Sequence, residues 1–203
     1  MSMDAESFDR IAREVFAPAY PLIARQIRER TGINEGVCVD VGCGGGYLGL
    51  ALAQITRLQV YLLDISPEMV KISQENLKAW NLASRVKAIQ GDVHALPFPD
   101  SSINLVVSRG SMFFWEDLAR AYGEIHRVLV PGGMAYIGGG FGSRELKEKI
   151  WQEMIRRNPD WPCCVKKRWE RLEEFREKLG EAGIRDYEIL QEEAGLWILI
   201  KKR

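Results

Sequence analysis

Two spacings of apolar residues alternate along the chain. Val37–Val41, Gln59–Leu63, Val86–Gln90 and Ile103–Ser108 are short apolar runs bounded by turn formers, and they read as strands. Tyr47–Ile55, the stretch from Ser66 to about Trp80, and Asp117–Leu129 carry helical spacing. Ser66 is a helix N-cap, with Pro67 at the first helical position, where a missing N–H costs nothing. Upstream, Ile11, Val15, Leu22, Ile23 and Ile27 form a helical stripe within residues 4–30, interrupted near Pro18 and Pro21 and stopped at Thr31-Gly32. Downstream, Pro131-Gly132-Gly133 is a turn that opens a fifth strand, Met134–Gly138. Ser143 caps a charged helix reaching about Asn158, and Pro159–Val165 breaks it. Trp169, Leu172, Phe175 and Leu179 space a second amphipathic helix that stops at Gly180. Tyr187–Gln191 and Leu196–Lys201 are the last strands, joined by a turn at Glu193-Ala194-Gly195.

Strands separated by helices with short connections imply a parallel sheet covered on both faces. The last connection is too short for a crossover, so the final strand runs antiparallel to its predecessor. The expected fold class is α/β: a Rossmann-like, doubly wound sheet of seven strands, parallel except for the last. One domain over residues 1–203 is expected, with helices at 1–31 and a second helical segment at 139–182.

Composition narrows the function. Apolar residues make up 46% and charged residues 28%, ordinary for a globular protein. Lys+Arg and Asp+Glu are 28 each, so the basic excess of a nucleic-acid binder is missing. The short runs Lys166-Lys167-Arg168 and Lys201-Lys202-Arg203 read as solvated surface. No apolar run approaches the ~20 residues that span a bilayer, and the polar, acidic start MSMDAESFDR predicts no signal peptide. Cys38, Cys43, Cys163 and Cys164 lack CxxC spacing, which predicts reduced thiols, a cytoplasmic setting and no metal site.

The candidate chemistry starts at Val39-Asp40-Val41-Gly42-Cys43-Gly44-Gly45-Gly46. Glycines there can take positive φ and expose backbone N–H groups at the carboxyl end of the first strand, where this fold class binds ligands. Asp64 ends the second strand about twenty residues later, where an acid accepts hydrogen bonds from two ribose hydroxyls. Gly44-Gly45-Gly46-Tyr47-Leu48-Gly49 also satisfies GxGxxG, so a nicotinamide-dependent oxidoreductase stays open. Three features weigh against it. Asp40 adds negative charge beside the loop, unfavourable to a pyrophosphate and useful near an ammonium or sulfonium. Asp92, after the third strand, can accept from an adenine amino group. No Tyr-x-x-x-Lys pair occurs anywhere.

VDVGCGGG at 39–46, YLLDIS at 61–66, GDVHALPFPDSSINLVVS at 91–108 and EIHRVLVPGGMAYI at 124–137 together resemble the class I S-adenosylmethionine-dependent methyltransferases of the type that modifies small molecules. The resemblance implies S-adenosylmethionine as cofactor and a small-molecule methyl acceptor. It implies that Gly42, Cys43 and Gly44 wrap the methionine part, with Asp40 near its amino group. Asp64 would hold the ribose, Ile65 would pack on the adenine, and Asp92 and Val93 would contact the adenine edge and face. Tyr47, Ser66, Met69 and Gly91 complete the implied cofactor set. Ser108 and Arg109 would lie beside the methyl group and the substrate. The N-terminal helices, with Phe8, Phe16 and Tyr20, are implied to form a lid.

On the acceptor side, Tyr20, Phe113, Phe114, Trp115 and Trp161 are candidate pocket walls, although Phe113–Trp115 can equally pack beneath the following helix. Arg109 can hold an anionic substrate or pair with Glu116 or Asp117. Arg109 and His94 are the candidate catalytic groups. Adjacent Cys163-Cys164 can line the acceptor site. No Asn/Asp-Pro-Pro-Tyr follows the fourth strand, which again disfavours nucleic acid as acceptor. A monomer or homodimer is expected, and a cofactor-binding but inactive subunit or sensor is the remaining alternative.

Overall fold

A computed structural model describes residues 4–161, 163, 165 and 170–203. The chain enters through α1 (Ala5–Ile11), a π-helical turn (Ala12–Phe16) and α2 (Ala19–Thr31). Then follow β1 (Val37–Val41), α3 (Tyr47–Ile55), β2 (Gln59–Asp64), α4 (Pro67–Ala79), β3 (Val86–Gln90) and β4 (Ile103–Arg109). A 3₁₀ turn (Met112–Phe114) leads to α5 (Leu118–Val128), β5 (Leu129–Gly140), α6 (Arg144–Arg157), α7 (Leu172–Glu181), β6 (Tyr187–Glu192) and β7 (Gly195–Lys201).

The seven strands are ordered β3-β2-β1-β4-β5-β7-β6. The β1–β2, β1–β4, β2–β3 and β4–β5 pairs are parallel, while β7 lies antiparallel to both β5 and β6. The last strand is therefore the one that runs against the rest. The chain winds outward from β1 through β2 to β3, then crosses to β4, so the strand order switches between β1 and β4. Their carboxyl ends leave a crevice there, because the connections depart in opposite directions.

Alternate side chains go to opposite faces of the sheet. Cys38, Val60, Leu62, Leu105, Val107 and Tyr136 pack on α2 and α3. Val39, Val41, Val106, Ile137 and Ile198 pack on α5 and α7. The side-chain oxygens of Asp4, Ser66, Asp117 and Ser143 cap α1, α4, α5 and α6.

Three local readings need correction. Pro21 does not interrupt α2. It falls in the first turn, where its absent N–H would have had no helical partner. Pro131-Gly132-Gly133 does not delay β5, which begins at Leu129. Gly132, at φ +80°, keeps the bend paired by donating to the Lys202 carbonyl at 2.7 Å, and Lys202 N–H donates to Gly133 at 3.0 Å. The helix placed around Trp169 starts at Leu172, and Trp169 itself, like Cys164, lies outside the described residues.

Candidate functional site

The glycine loop after β1 is shaped by three left-handed residues: Gly42 at φ +64°, Gly44 at +53° and Gly46 at +82°. Its backbone is tied to the end of β2, since the N–H groups of Gly42 and Cys43 both donate to the Leu63 carbonyl, at 2.8 and 3.1 Å. A Cβ on Gly42 would collide with the Ser111 side chain. Ser111 Oγ donates to the Val41 carbonyl at 2.9 Å and lies 2.6 Å from Ser108 Oγ, which fastens the loop after β4 to the end of β1. A Cβ on Gly44 would meet only the Phe8 ring, at 3.6 Å, so this backbone is a cradle screened by a side chain.

Two acids stand at the strand ends. Asp64 is 8% exposed, and each oxygen accepts one backbone N–H: Oδ2 from Gly44 at 2.8 Å and Oδ1 from Ser66 at 3.0 Å. A carboxylate has about four acceptor sites, so each oxygen keeps one for a further donor. Asp40 is 2% exposed, and its Oδ2 accepts from the Gly49 N–H at 2.8 Å. Burial pushes the Asp40 carboxyl up to about 7, against the pull of the Gly49 N–H and with a further push from the Asp64 charge. Burial also raises the Cys43 thiol well above its usual value, helped by Asp40 and Asp64.

The rim beside these acids is partly apolar. Ile65 is 65% exposed directly after Asp64. Ser66 caps α4 through the Met69 N–H at 3.2 Å, and Met69 is buried beneath it. The Gly91 N–H donates to the Asp64 carbonyl at 3.0 Å, which brings Asp92 and buried Val93 to the same end of the sheet. The Asp92 carboxylate is held below its usual range, chiefly by the His94 backbone N–H.

The N-terminal segment lies on the loop. Tyr47 Oη donates to buried Asp9 Oδ1 at 2.9 Å, its ring stacks on Tyr20 at 5.4 Å between centroids, and Asn76 Nδ2 donates to the Gly45 carbonyl at 2.9 Å. A Cβ on Gly45 would strike Asp9 Oδ1 and the Tyr47 ring, although the Gly45 backbone itself is not left-handed. Gly45→Ala is therefore expected to lift α1 off the loop without straining it. Hydrogen exchange in Ala5–Phe16 should accelerate by about tenfold or more, the mark of a local opening made ~1.4 kcal/mol easier. Unchanged protection there would contradict the contact.

The Methyltransferase domain family profile matches residues 39–137, which run from β1 into β5. A solved structure of a proposed S-adenosyl-L-methionine-dependent methyltransferase from Methanococcus maripaludis is 45% identical, covers 100% of this chain and 97% of that one, and superposes with a TM-score of 0.95. The chain belongs to the S-adenosylmethionine-dependent methyltransferases. Among curated relatives, the demethylmenaquinone methyltransferase of Chlorobaculum tepidum is 34% identical over 110 residues, 54% of this chain and 43% of that protein. The malonyl-[acyl-carrier protein] O-methyltransferase of Methylovorus sp. is 35% identical over 156 residues, 70% of this chain and 51% of that protein. The chain thus spans about half the length of the curated relatives it matches.

In this chain the expected acceptor-side residues divide between the two faces of the sheet. Arg109 follows Leu105 and Val107 in the two-residue period and stays with α2, against Phe16 and Tyr20. It pairs with neither Glu116 nor Asp117, and its Nε donates instead to the Gly140 carbonyl at 2.9 Å. Trp161 joins the same side through Phe16, at 6.4 Å between centroids. Phe113 and Trp115 go the other way, against Phe175 of α7 and Tyr122 of α5. Phe114 points outward, at 65% exposure.

His94 presents no unengaged ring nitrogen. Nδ1 lies 2.7 Å from Asp92 Oδ1, and Nε2 accepts the Asp117 N–H at 3.3 Å. That second bond places the proton on Nδ1, so the ring is a strut between the β3 loop and the start of α5. Asp9, Asn76 and Ser111 are site-forming residues that sequence reasoning missed. Their roles depend on contacts across 31 to 70 residues of chain, which no local pattern records.

Proposed function

We propose that this chain binds S-adenosylmethionine and transfers its methyl group to a small-molecule acceptor. The observation that carries the reading is the end of β2. There Asp64 is fixed by two backbone N–H groups while keeping an acceptor site on each oxygen, the arrangement that suits a pair of vicinal ribose hydroxyls. The bare backbone of Gly42–Gly44 suits the amino-acid tail, and Asp40 in its ionised form suits its ammonium. Exposed Ile65 and the Asp92–Val93 rim suit adenine. When bound, the cofactor supplies a methyl group on a cationic sulfur. The chain's own residues bind, orient and exclude water, and alignment alone accounts for up to roughly 7–11 kcal/mol of a barrier of this kind. We read the N-terminal helices through Thr31 as a lid and residues 139–182 as the acceptor side. His94 is left out of the chemistry because its ring is committed on both edges.

The relatives named for demethylmenaquinone and for malonyl-[acyl-carrier protein] support a diffusible or carrier-borne acceptor without deciding between them. Among the described residues, no helix is long and apolar enough to cross a membrane. Titration calorimetry with S-adenosylmethionine, S-adenosylhomocysteine and NAD tests the proposal. Saturable binding of the two sulfur nucleosides and none of NAD is expected. Binding of NAD alone would return the assignment to an oxidoreductase.

A further inference from the structure

Arg109 is a part-buried cation with no counter-charge among the described residues. Its guanidinium carbon sits 4.5 Å from the ring centroid of Phe16 and 5.3 Å from that of Tyr20. Its Nε is taken by the Gly140 carbonyl. No carboxylate among the described residues pairs with it. Burial holds the guanidinium below its ordinary pKa, and only the Tyr20 phenol works in the other direction. The nearby acids, Asp40 and Asp9, act instead on Tyr20, whose hydroxyl is raised by burial, lowered by Arg109 and raised again by those two charges. Aromatic faces recover part of what a cation loses on leaving water, but a facing anion recovers far more. Structural arginines in this chain illustrate the difference. Arg127 is clasped by Glu124 and Asp100, and Arg171 by Glu174.

Phe16 leads from Arg109 to an aromatic wall. It stacks on Phe141 at 6.2 Å and lies 6.4 Å from Trp161, while Trp151 stands 5.0 Å from Trp161 and 6.3 Å from Phe141. The wall joins the N-terminal segment, the end of β5 and α6. Arg109 meets the glycine loop on its other side through Tyr20, which stacks on Tyr47. A cation between a cofactor loop and an aromatic wall can orient a ligand with one anionic end and one flat end.

We propose that Arg109 anchors an anionic group, a carboxylate or phosphate, of the methyl acceptor, and that the partly exposed rings of Phe16 and Trp161, backed by buried Phe141, receive the acceptor's flat apolar body. The proposal rests on the methyltransferase reading and adds the acceptor class to it. A guanidinium can take either anion through two parallel N–H donors, geometry that lysine cannot reproduce. The rival source of the same anion is the carboxylate of the cofactor's own amino-acid tail.

The test uses the whole chain saturated with S-adenosylhomocysteine and titrated, by ligand-observed NMR, with benzoate, phenyl phosphate and neutral benzamide. At least one anion should bind about tenfold or more tighter than benzamide, the effect of one charge-assisted contact. Arg109→Gln should erase the preference and Arg109→Lys should keep part of it. Arg109→Gln should change S-adenosylhomocysteine affinity by less than about threefold, since the tenfold loss of a charged contact would then be confined to the acceptor probe. No preference for either anion in the parent protein, or no saturable binding of any probe, overturns the proposal. So does a tenfold loss of S-adenosylhomocysteine affinity in Arg109→Gln that Arg109→Lys restores, which would assign the anion to the cofactor. Failure of the parent to bind S-adenosylhomocysteine at all would instead remove the methyltransferase reading beneath it.

Discussion

Asp64→Ala is expected to weaken S-adenosylhomocysteine binding by at least about 100-fold while the protein stays folded. Two hydroxyl donors to a carboxylate contribute about 1.5–3 kcal/mol each, so losing both costs ~3–6 kcal/mol, and 1.4 kcal/mol is a factor of ten. The substitution also deprives the Gly44 and Ser66 N–H groups of their acceptor, which loosens the glycine loop in the free protein. Calorimetry on the variant and its parent, with circular dichroism as the folding control, measures the effect. Asp64→Asn retains one acceptor oxygen and should fall between the two. An affinity for the variant within about threefold of the parent's would refute the placement of the ribose at the end of β2, because no lost charged hydrogen bond is that small.

The second large effect is a pH dependence set by Asp40. In the free protein this carboxyl titrates near 7, because burial opposes its charge. A cationic ammonium beside it favours the ionised form, so binding must carry the cost of deprotonation at any pH below that value. The cofactor dissociation constant is then expected to rise by about tenfold between pH 8 and pH 6, and by about tenfold for each further unit of acid. Asp40→Asn should flatten the profile and bind more weakly at pH 8. A flat profile in the parent would show that Asp40 serves only the Gly49 N–H.

Folding stability has the opposite sign. The unfolded chain releases the Asp40 proton near 3.8, whereas the folded, unliganded protein holds it to about 7. Across that interval the folded state binds more protons, so this group's contribution to stability falls as pH rises from about 4 to 7. Above 7 the penalty is complete, and Asp40→Asn should then melt higher than its parent when no cofactor is present. Cofactor binding and apo stability therefore pull Asp40 in opposite directions, as expected of a charge kept for a ligand.

Much of the fold is written in local pattern. The β-branched run at Val37–Val41 and the third strand at Val86–Gln90 match the observed strands, and the Ser66-Pro67 start of α4 is visible because capping and proline placement act within four residues. The parallel sheet and its reversed last strand follow from connection lengths, which constrain topology before any packing is known. The glycine loop and the acids at the ends of β1 and β2 were legible for the same reason. Strand end, turn and helix start are contiguous in the chain, so the residues that surround the crevice stay close in sequence.

Tertiary packing alone decided which side chains share the crevice. Arg109 and Phe113 are four residues apart, yet strand parity sends Arg109 to Phe16 and Tyr20 while the 3₁₀ turn carries Phe113 to Phe175. His94 looks like a base in isolation, and only the arrival of the Asp117 N–H at its second nitrogen commits it to the loop. Arg109 looks pairable with Glu116 or Asp117, and only the fold leaves it without an anion among the described residues. Local sequence sets backbone conformation and the positions of strand ends, because those energies depend on neighbouring residues. Charge compensation and burial depend on what distant segments bring within a few ångströms, and that is fixed only when the chain has closed on itself.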